Sequence, residues 1–310
     1  MTRPPSWAGT SYPVPPPSRP HILVVNGRKV VHPVFIIGAP RSGTDLLATA
    51  LKRSPGFHVT LGQRSVLPVI QAFARAPSMV TGRPDAVASV LRDAFAQGWQ
   101  VTAHCCLGCS SQCREAGGVR GGGTCVAEGV SRYGDASPDL LYSAEALLDA
   151  FPDGRVIQII RNGRDVTAGM LSDADSLAWF RPGFVNLDSE LIHPLLGVET
   201  LADLTVWEEA SLVGKCAMRW RGSVRLAARL RARYSTQQLI TLRYEDMIRR
   251  PDVAARTVSA FLGARVAELD TRLVEGTPAE PGAWRGLLTL GQVREVERMA
   301  GEELRRVGYG

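Results

Sequence analysis

The chain has 310 residues, 45% of them hydrophobic and 21% charged, with a formal net charge of +6. That length can bury a full core as one large domain or two small ones, and no apolar run reaches the roughly 20 residues of a membrane helix. The positive charge is almost wholly arginine, scattered through helical patterns with no basic stripe, which argues against a nucleic-acid surface and suits a small, strongly anionic ligand.

The first 20 residues, MTRPPSWAGTSYPVPPPSRP, are proline-rich and lack the apolar core of a signal peptide. They are read as an extended or disordered arm reaching to residue 30, on a cytoplasmic protein. Residues 31–310 are read as one domain. Val34 to Ile37 is a β-rich apolar run ending at Gly38, the pattern of a buried parallel strand. From Thr44 to about Arg53, Leu46, Leu47, Ala50 and Leu51 share one helical face. FHVT at 57–60 is a short strand. RVIQII at 155–160 is a second buried strand, followed by RNGRDV and a helix, and QLITLRY at 238–244 is a third. Pro251 opens a helix that Gly263 closes, and Thr289 with Gln292 caps the last one. Strands alternating with helices predict a three-layer α/β/α fold on a central parallel sheet. Residues 104–125 look like a Cys-rich insertion and 171–215 like a helical cap.

GAPRSGTDLL at 38–47 is the stretch with the clearest chemistry. A strand-to-helix loop of small residues aims backbone N–H groups and the positive helix end at an anion. Arg41 adds a forked cation, and Ser42 and Thr44 add hydroxyls. It is not a nucleoside-triphosphatase loop, because Thr44 and Asp45 stand where lysine and the magnesium-binding hydroxyl are needed. Arg161 ends a second strand at the same sheet edge. Two arginines on two strand ends suit a ligand with two separated anionic groups.

In order along the chain, GAPRSGTDLL, GDASPDLL at 134–141, FPDGRVIQIIRNGRDVTAG, ITLRYEDMIRRP and GAWRGLLTL with RRVGYG resemble the segments of sulfotransferases that use 3′-phosphoadenosine 5′-phosphosulfate (PAPS). The resemblance runs from about residue 33 to the end. It implies a P-loop-like sulfotransferase fold and transfer of a sulfuryl group to a hydroxyl or amine of a small acceptor, in specialised metabolism, leaving 3′-phosphoadenosine 5′-phosphate (PAP). It puts Arg41, Ser42, Gly43, Thr44 and Asp45 at the 5′-phosphosulfate, Arg161 and Gly169 at the 3′-phosphate, and Gly282, Ala283, Trp284 and Arg285 on the adenosine side. Tyr244 and Glu245 are expected to brace the fold.

Four positions depart from the pattern. Asp45 replaces a hydroxyl and is expected to face away and pair with an arginine. Gly169 replaces a serine, and Ala136 a lysine. Gln63 stands near the expected catalytic acid and cannot accept a proton usefully. That leaves His58 as the candidate base, with His104 as its rival. These losses also allow a second reading, a catalytically degenerate nucleotide-binding module.

HCCLGCSSQC at 104–113 and Cys125 put five thiols in one loop. In a cytoplasmic protein, that spacing suggests structural zinc on Cys106, Cys109, Cys113 and Cys125, with an iron–sulfur cluster or disulfides as alternatives. The sequence leaves acceptor and oligomeric state open.

Overall fold

The computed structural model describes residues 22–310 apart from 83, 120–122, 126–128, 186–191, 275 and 278. Five strands form one sheet: β1 (Val34–Gly38), β2 (Phe57–Thr60), β3 (Arg132–Asp135), β4 (Arg155–Ile160) and β5 (Leu239–Arg243). Their order is β2-β3-β1-β4-β5 and every pairing is parallel. β1 and β4 are buried on both faces, which is why they read as apolar runs without alternation.

The two faces of β1 enter different cores. Val34 and Ile36 pack with Leu47 and Leu51 of α1 (Thr44–Lys52) and with Val258 of the Pro251–Leu262 helix. Phe35 and Ile37 pack with Leu91 and Phe95 of α2 (Pro84–Gly98), and with Leu147 and Phe151. A third core gathers Val166 and Met170 of α3 (Gly163–Leu171), Trp220 and Cys216 of α4 (Leu212–Arg233), and Val296 and Ala300 of α5 (Leu290–Arg306). The chain leaves β1 toward one face through α1 and leaves β4 toward the other through α3. Neighbouring strands with diverging exits open a crevice at their carboxyl ends, where ligands bind in open α/β sheets.

The expected capping box at Thr289 and Gln292 is present, and Gly263 ends its helix at φ 61°. The arm differs from the expectation. Residues 1–21 lie outside the described residues, but Val24–Val25 and Arg28–Lys29 form a hairpin. Asn26 and Gly27 both take positive φ, as a two-residue primed turn requires. Asn26 bonds the Trp99 carbonyl and the Tyr133 hydroxyl, fixing the hairpin to the core. In the segment read as a cap, Leu195, Leu196 and Val198 are buried against the core that contains α4. Among the described residues, no helix is long and apolar enough to cross a membrane.

Candidate active site

The loop from β1 to α1 is shaped by three small residues and one strained one. Arg41 takes φ 63° and Gly43 φ 90°, so the chain coils tightly before α1 begins. A Cβ on Gly38 would lie 2.3 Å from Ser42 Oγ, and one on Gly43 would lie 2.3 Å from the Tyr244 ring. Ser42 is 1% exposed, and its Oγ has no hydrogen-bond partner among the described residues. A buried hydroxyl left unsatisfied is costly unless a ligand supplies its partner. The first N–H groups of α1 likewise have no intrahelical acceptor and give this end a partial positive charge.

Arg161 faces this loop from the end of β4. It is 3% exposed and lies 4.5 Å over the Tyr244 ring. Its Nη1 donates to the Arg41 carbonyl at 3.1 Å, and Nη2 to the carbonyls of Ala279 and Glu280 at 2.9 and 3.3 Å. The guanidinium therefore ties the loop to the 279–285 segment. Trp220 anchors the same turn through Nε1 to the Arg161 carbonyl at 3.1 Å. Asp165, whose role the sequence reading missed, accepts from the backbone N–H of Gly282 and Trp284, both at 2.9 Å. Tyr244 donates to the Ala279 carbonyl, and Glu245 accepts from Asn162 N–H and the Tyr309 hydroxyl. Both residues tie the end of β5 to neighbouring segments.

Two departures acquire physical reasons. A Cβ on Gly169 would lie 3.0 Å from Arg41 Cβ, so the glycine admits the loop arginine where a serine would crowd it. Gln63 Oε1 accepts from Ser65 N–H at 2.9 Å and from its hydroxyl at 3.1 Å, which makes it a local cap. Among the described residues, Asp45 pairs with no arginine. It is exposed and accepts from Gln112 Nε2 at 3.1 Å. Ala136 is buried beside α1, and His104 is exposed at the start of the Cys-rich insertion.

The site does not recruit His58. It is buried, and burial together with Lys52 pushes its pKa down to about 3, too weak a base near neutrality. One group in this region that titrates near neutrality is Asp135, at the carboxyl end of β3. Burial pushes its pKa from 3.8 up to about 7, although Thr60 Oγ1 and Ser137 N–H donate to it. A carboxyl with a raised folded pKa favours folding when protonated. That contribution is full below the unfolded value and is lost as pH climbs to about 7. Asp135→Asn is therefore expected to flatten the fall in Tm between about pH 4 and pH 7. An unchanged slope in thermal melts across that range would assign the loss elsewhere.

The zinc expectation finds no support. All six cysteines are free thiols, and among the described residues no group of three or more His, Cys, Asp or Glu side chains is arranged to hold a metal. Within the Cys106, Cys109, Cys113 and Cys125 cluster, Cys113 meets a cation from the chain. Lys52 Nζ donates to the Val59 carbonyl at 2.8 Å and to Cys113 Sγ at 3.4 Å. Spacing in one loop could not reveal a lysine more than 50 residues upstream.

Beside the Arg161 corner lies a cavity of about 270 Å³, lined among others by Arg243, Arg249, Trp284, Arg285 and Tyr309. Trp284 Nε1 is buried with no hydrogen-bond partner among the described residues. An anion-ready loop, a buried arginine and a cavity lined by three arginines and by Asp165, Glu245 and Asp246 thus share one sheet edge.

Comparisons with known proteins bear on this arrangement. The profile of the sulfotransferase family matches residues 33–268. Among curated proteins no relative is found. The sulfotransferase domain from the curacin biosynthetic pathway is 13% identical, with 91% of this chain and 99% of that one covered and a TM-score of 0.48. A sulfotransferase from Alicyclobacillus acidocaldarius is 18% identical over 87% of this chain and 95% of its own, with a TM-score of 0.42. A mouse sulfotransferase complexed with PAP is 14% identical over 88% of this chain and 85% of its own, with a TM-score of 0.41. The profile match takes in the loop after β1, the turn after β4 and the end of β5, and on it the chain belongs to the sulfotransferase family.

Proposed function

We propose that the protein transfers a sulfuryl group from PAPS to a hydroxyl or amine of a small-molecule acceptor. The observation that carries this reading is the buried, unpartnered Ser42 Oγ inside a loop that also presents Arg41 and the N-terminus of α1. The 5′-phosphosulfate would lie on that loop, with Thr44 as a further donor. The nucleoside would extend toward the cavity beside Trp284, whose Nε1 is an available donor. Arg161 and Arg285 would receive the 3′-phosphate once the Ala279 and Glu280 carbonyls release Arg161.

In the transfer step, the acceptor oxygen or nitrogen attacks sulfur in line, the S–O bond to the nucleotide phosphate breaks, and negative charge grows on that phosphate. Arg41, Ser42 and the free N–H groups are placed to hold this charge without reorganising. Positioning and electrostatics carry such a step, as they do in phosphoryl transfer. The acceptor's proton is not assigned to His58, which is neutral and buried.

The test is PAP release from PAPS across phenols, alcohols and amines. Release that depends on an acceptor is expected, and Arg41→Ala should lower kcat by about 10²-fold while PAP still binds. PAPS binding without transfer to any acceptor class would favour the degenerate reading.

A further inference from the structure

The segment that follows α5 reaches the Arg161 corner through a chain of hydrogen bonds that the transfer step leaves unused. The peptide between Arg161 and Asn162 is held at both ends. Its carbonyl accepts from Trp220 Nε1 at 3.1 Å, and its N–H donates to Glu245 Oε1 at 2.9 Å. The other carboxylate oxygen, Oε2, accepts from the Tyr309 hydroxyl. Trp220, Glu245 and Tyr309 are all buried. Burial and the Glu245 carboxylate push the Tyr309 pKa up, so the hydroxyl keeps its proton and remains a donor.

Tyr309 is itself placed by two arginines. The Arg243 guanidinium lies 4.1 Å from the centre of its ring and donates to the Val307 carbonyl at 2.6 Å. Arg164 Nη1 donates to the Tyr309 carbonyl at 2.7 Å, and the Arg164 N–H is the one that the Asn162 side chain caps at 3.0 Å. The first turn of α3 and the segment after α5 therefore fix each other. The terminal torsion of a glutamate is soft. Held at one oxygen its carboxylate can turn, and held at both its plane is set.

We propose that Tyr309 is a positioning residue of the donor site: its hydroxyl orients the Glu245 carboxylate, which with Trp220 clamps the Arg161–Asn162 peptide and so sets where the Arg161 side chain meets the 3′-phosphate. The phosphate half of this inference rests on the donor-site reading, whereas the clamp on the peptide does not. Tyr309 touches no reacting atom. It acts through Glu245, as a supporting residue acts on a binding group that must be held in place before the ligand arrives. Charge-assisted bonds between buried groups are the strong ones, so loss of this one is felt at the turn it holds.

The full-length protein and Tyr309→Phe are titrated with PAP and with 5′-AMP, and exchange of the Asn162 amide hydrogen is followed by NMR without nucleotide. Phenylalanine keeps the ring against Arg243 and removes only the hydroxyl. PAP affinity should fall about tenfold and AMP affinity should stay within about twofold, so the preference for the 3′-phosphate falls with it. The Asn162 amide should exchange about tenfold faster while the Ile36 amide, in the middle of β1, keeps its protection. Glu245→Ala should lose the preference to the same extent. Glu245→Gln should keep it within about threefold, since its carbonyl still accepts from Asn162 and its amide N–H can donate to the Tyr309 oxygen. An unchanged preference in Tyr309→Phe, or an equal loss for PAP and AMP, overturns the positioning role. Unchanged Asn162 exchange overturns the clamp. If the parent protein prefers PAP no more than AMP, the donor-site reading fails, and the exchange result alone decides the clamp.

Discussion

Gly43→Ala should abolish PAP binding at concentrations that saturate the parent protein, and should lower stability by about 1–3 kcal/mol. Two effects add at this position. Alanine at φ 90° is strained, and its Cβ would lie 2.3 Å from two ring carbons of Tyr244. The ring has nowhere to go. It is 1% exposed, its hydroxyl is bonded to the Ala279 carbonyl at 2.9 Å, and Arg161 lies 4.5 Å over its face. The loop must then move, taking Ser42 and the first N–H groups of α1 out of register with any bound anion. Gly301→Ala is the matched control, since the nearest atom to its Cβ would be the flexible Arg305 Nη1 at 3.5 Å. In the middle of α5 that change should be neutral or stabilising by up to about 1 kcal/mol. Calorimetric titration with PAP and thermal melts separate the two variants, and equal PAP affinity in both would remove the loop from the site.

Asp139→Asn should cost about 3–5 kcal/mol, a fall in Tm on the order of 10 °C for a chain of this length. Arg219, on α4, is fully buried and ion-paired with Asp139, which follows β3 and itself takes φ 64°. Asparagine tolerates that backbone conformation, so the substitution isolates the loss of charge. The guanidinium would keep its bond to the Ser176 carbonyl at 3.2 Å but lose its counter-charge in the interior. Adding Arg219→Met should recover most of the loss, because the unpaired charge goes with it. Differential scanning calorimetry of the single and double variants decides this, and a double variant no more stable than the single would contradict the ion-pair account.

Strands β1, β4 and β5 were legible because each is an apolar, β-branched run that ends where a glycine or arginine begins the site. β3 was not. Arg-Tyr-Gly-Asp has no apolar period and becomes a strand by pairing on both sides, with β2 and β1. The hairpin at 24–29 had its signal in Asn26-Gly27, masked by the proline-rich stretch before it. At the site, the loop after β1 and Arg161 were readable because the chemistry is carried by consecutive residues. Gly169 looked like a lost ligand and is the space that Arg41 needs, a contact between residues 128 positions apart. Lys52 and Cys113 meet across 61 positions, so no local spacing rule could have shown that contact.

The most direct measurement is calorimetric titration of the parent protein with PAP and with 5′-AMP, repeated on Arg161→Ala. Tight binding of PAP, with AMP weaker by about 10²-fold or more and that preference lost in Arg161→Ala, is the expected result. Equal affinity for PAP and AMP, or none for either, would contradict the assignment of the β1 loop and the Arg161 corner to a nucleotide phosphorylated at both ends of its ribose.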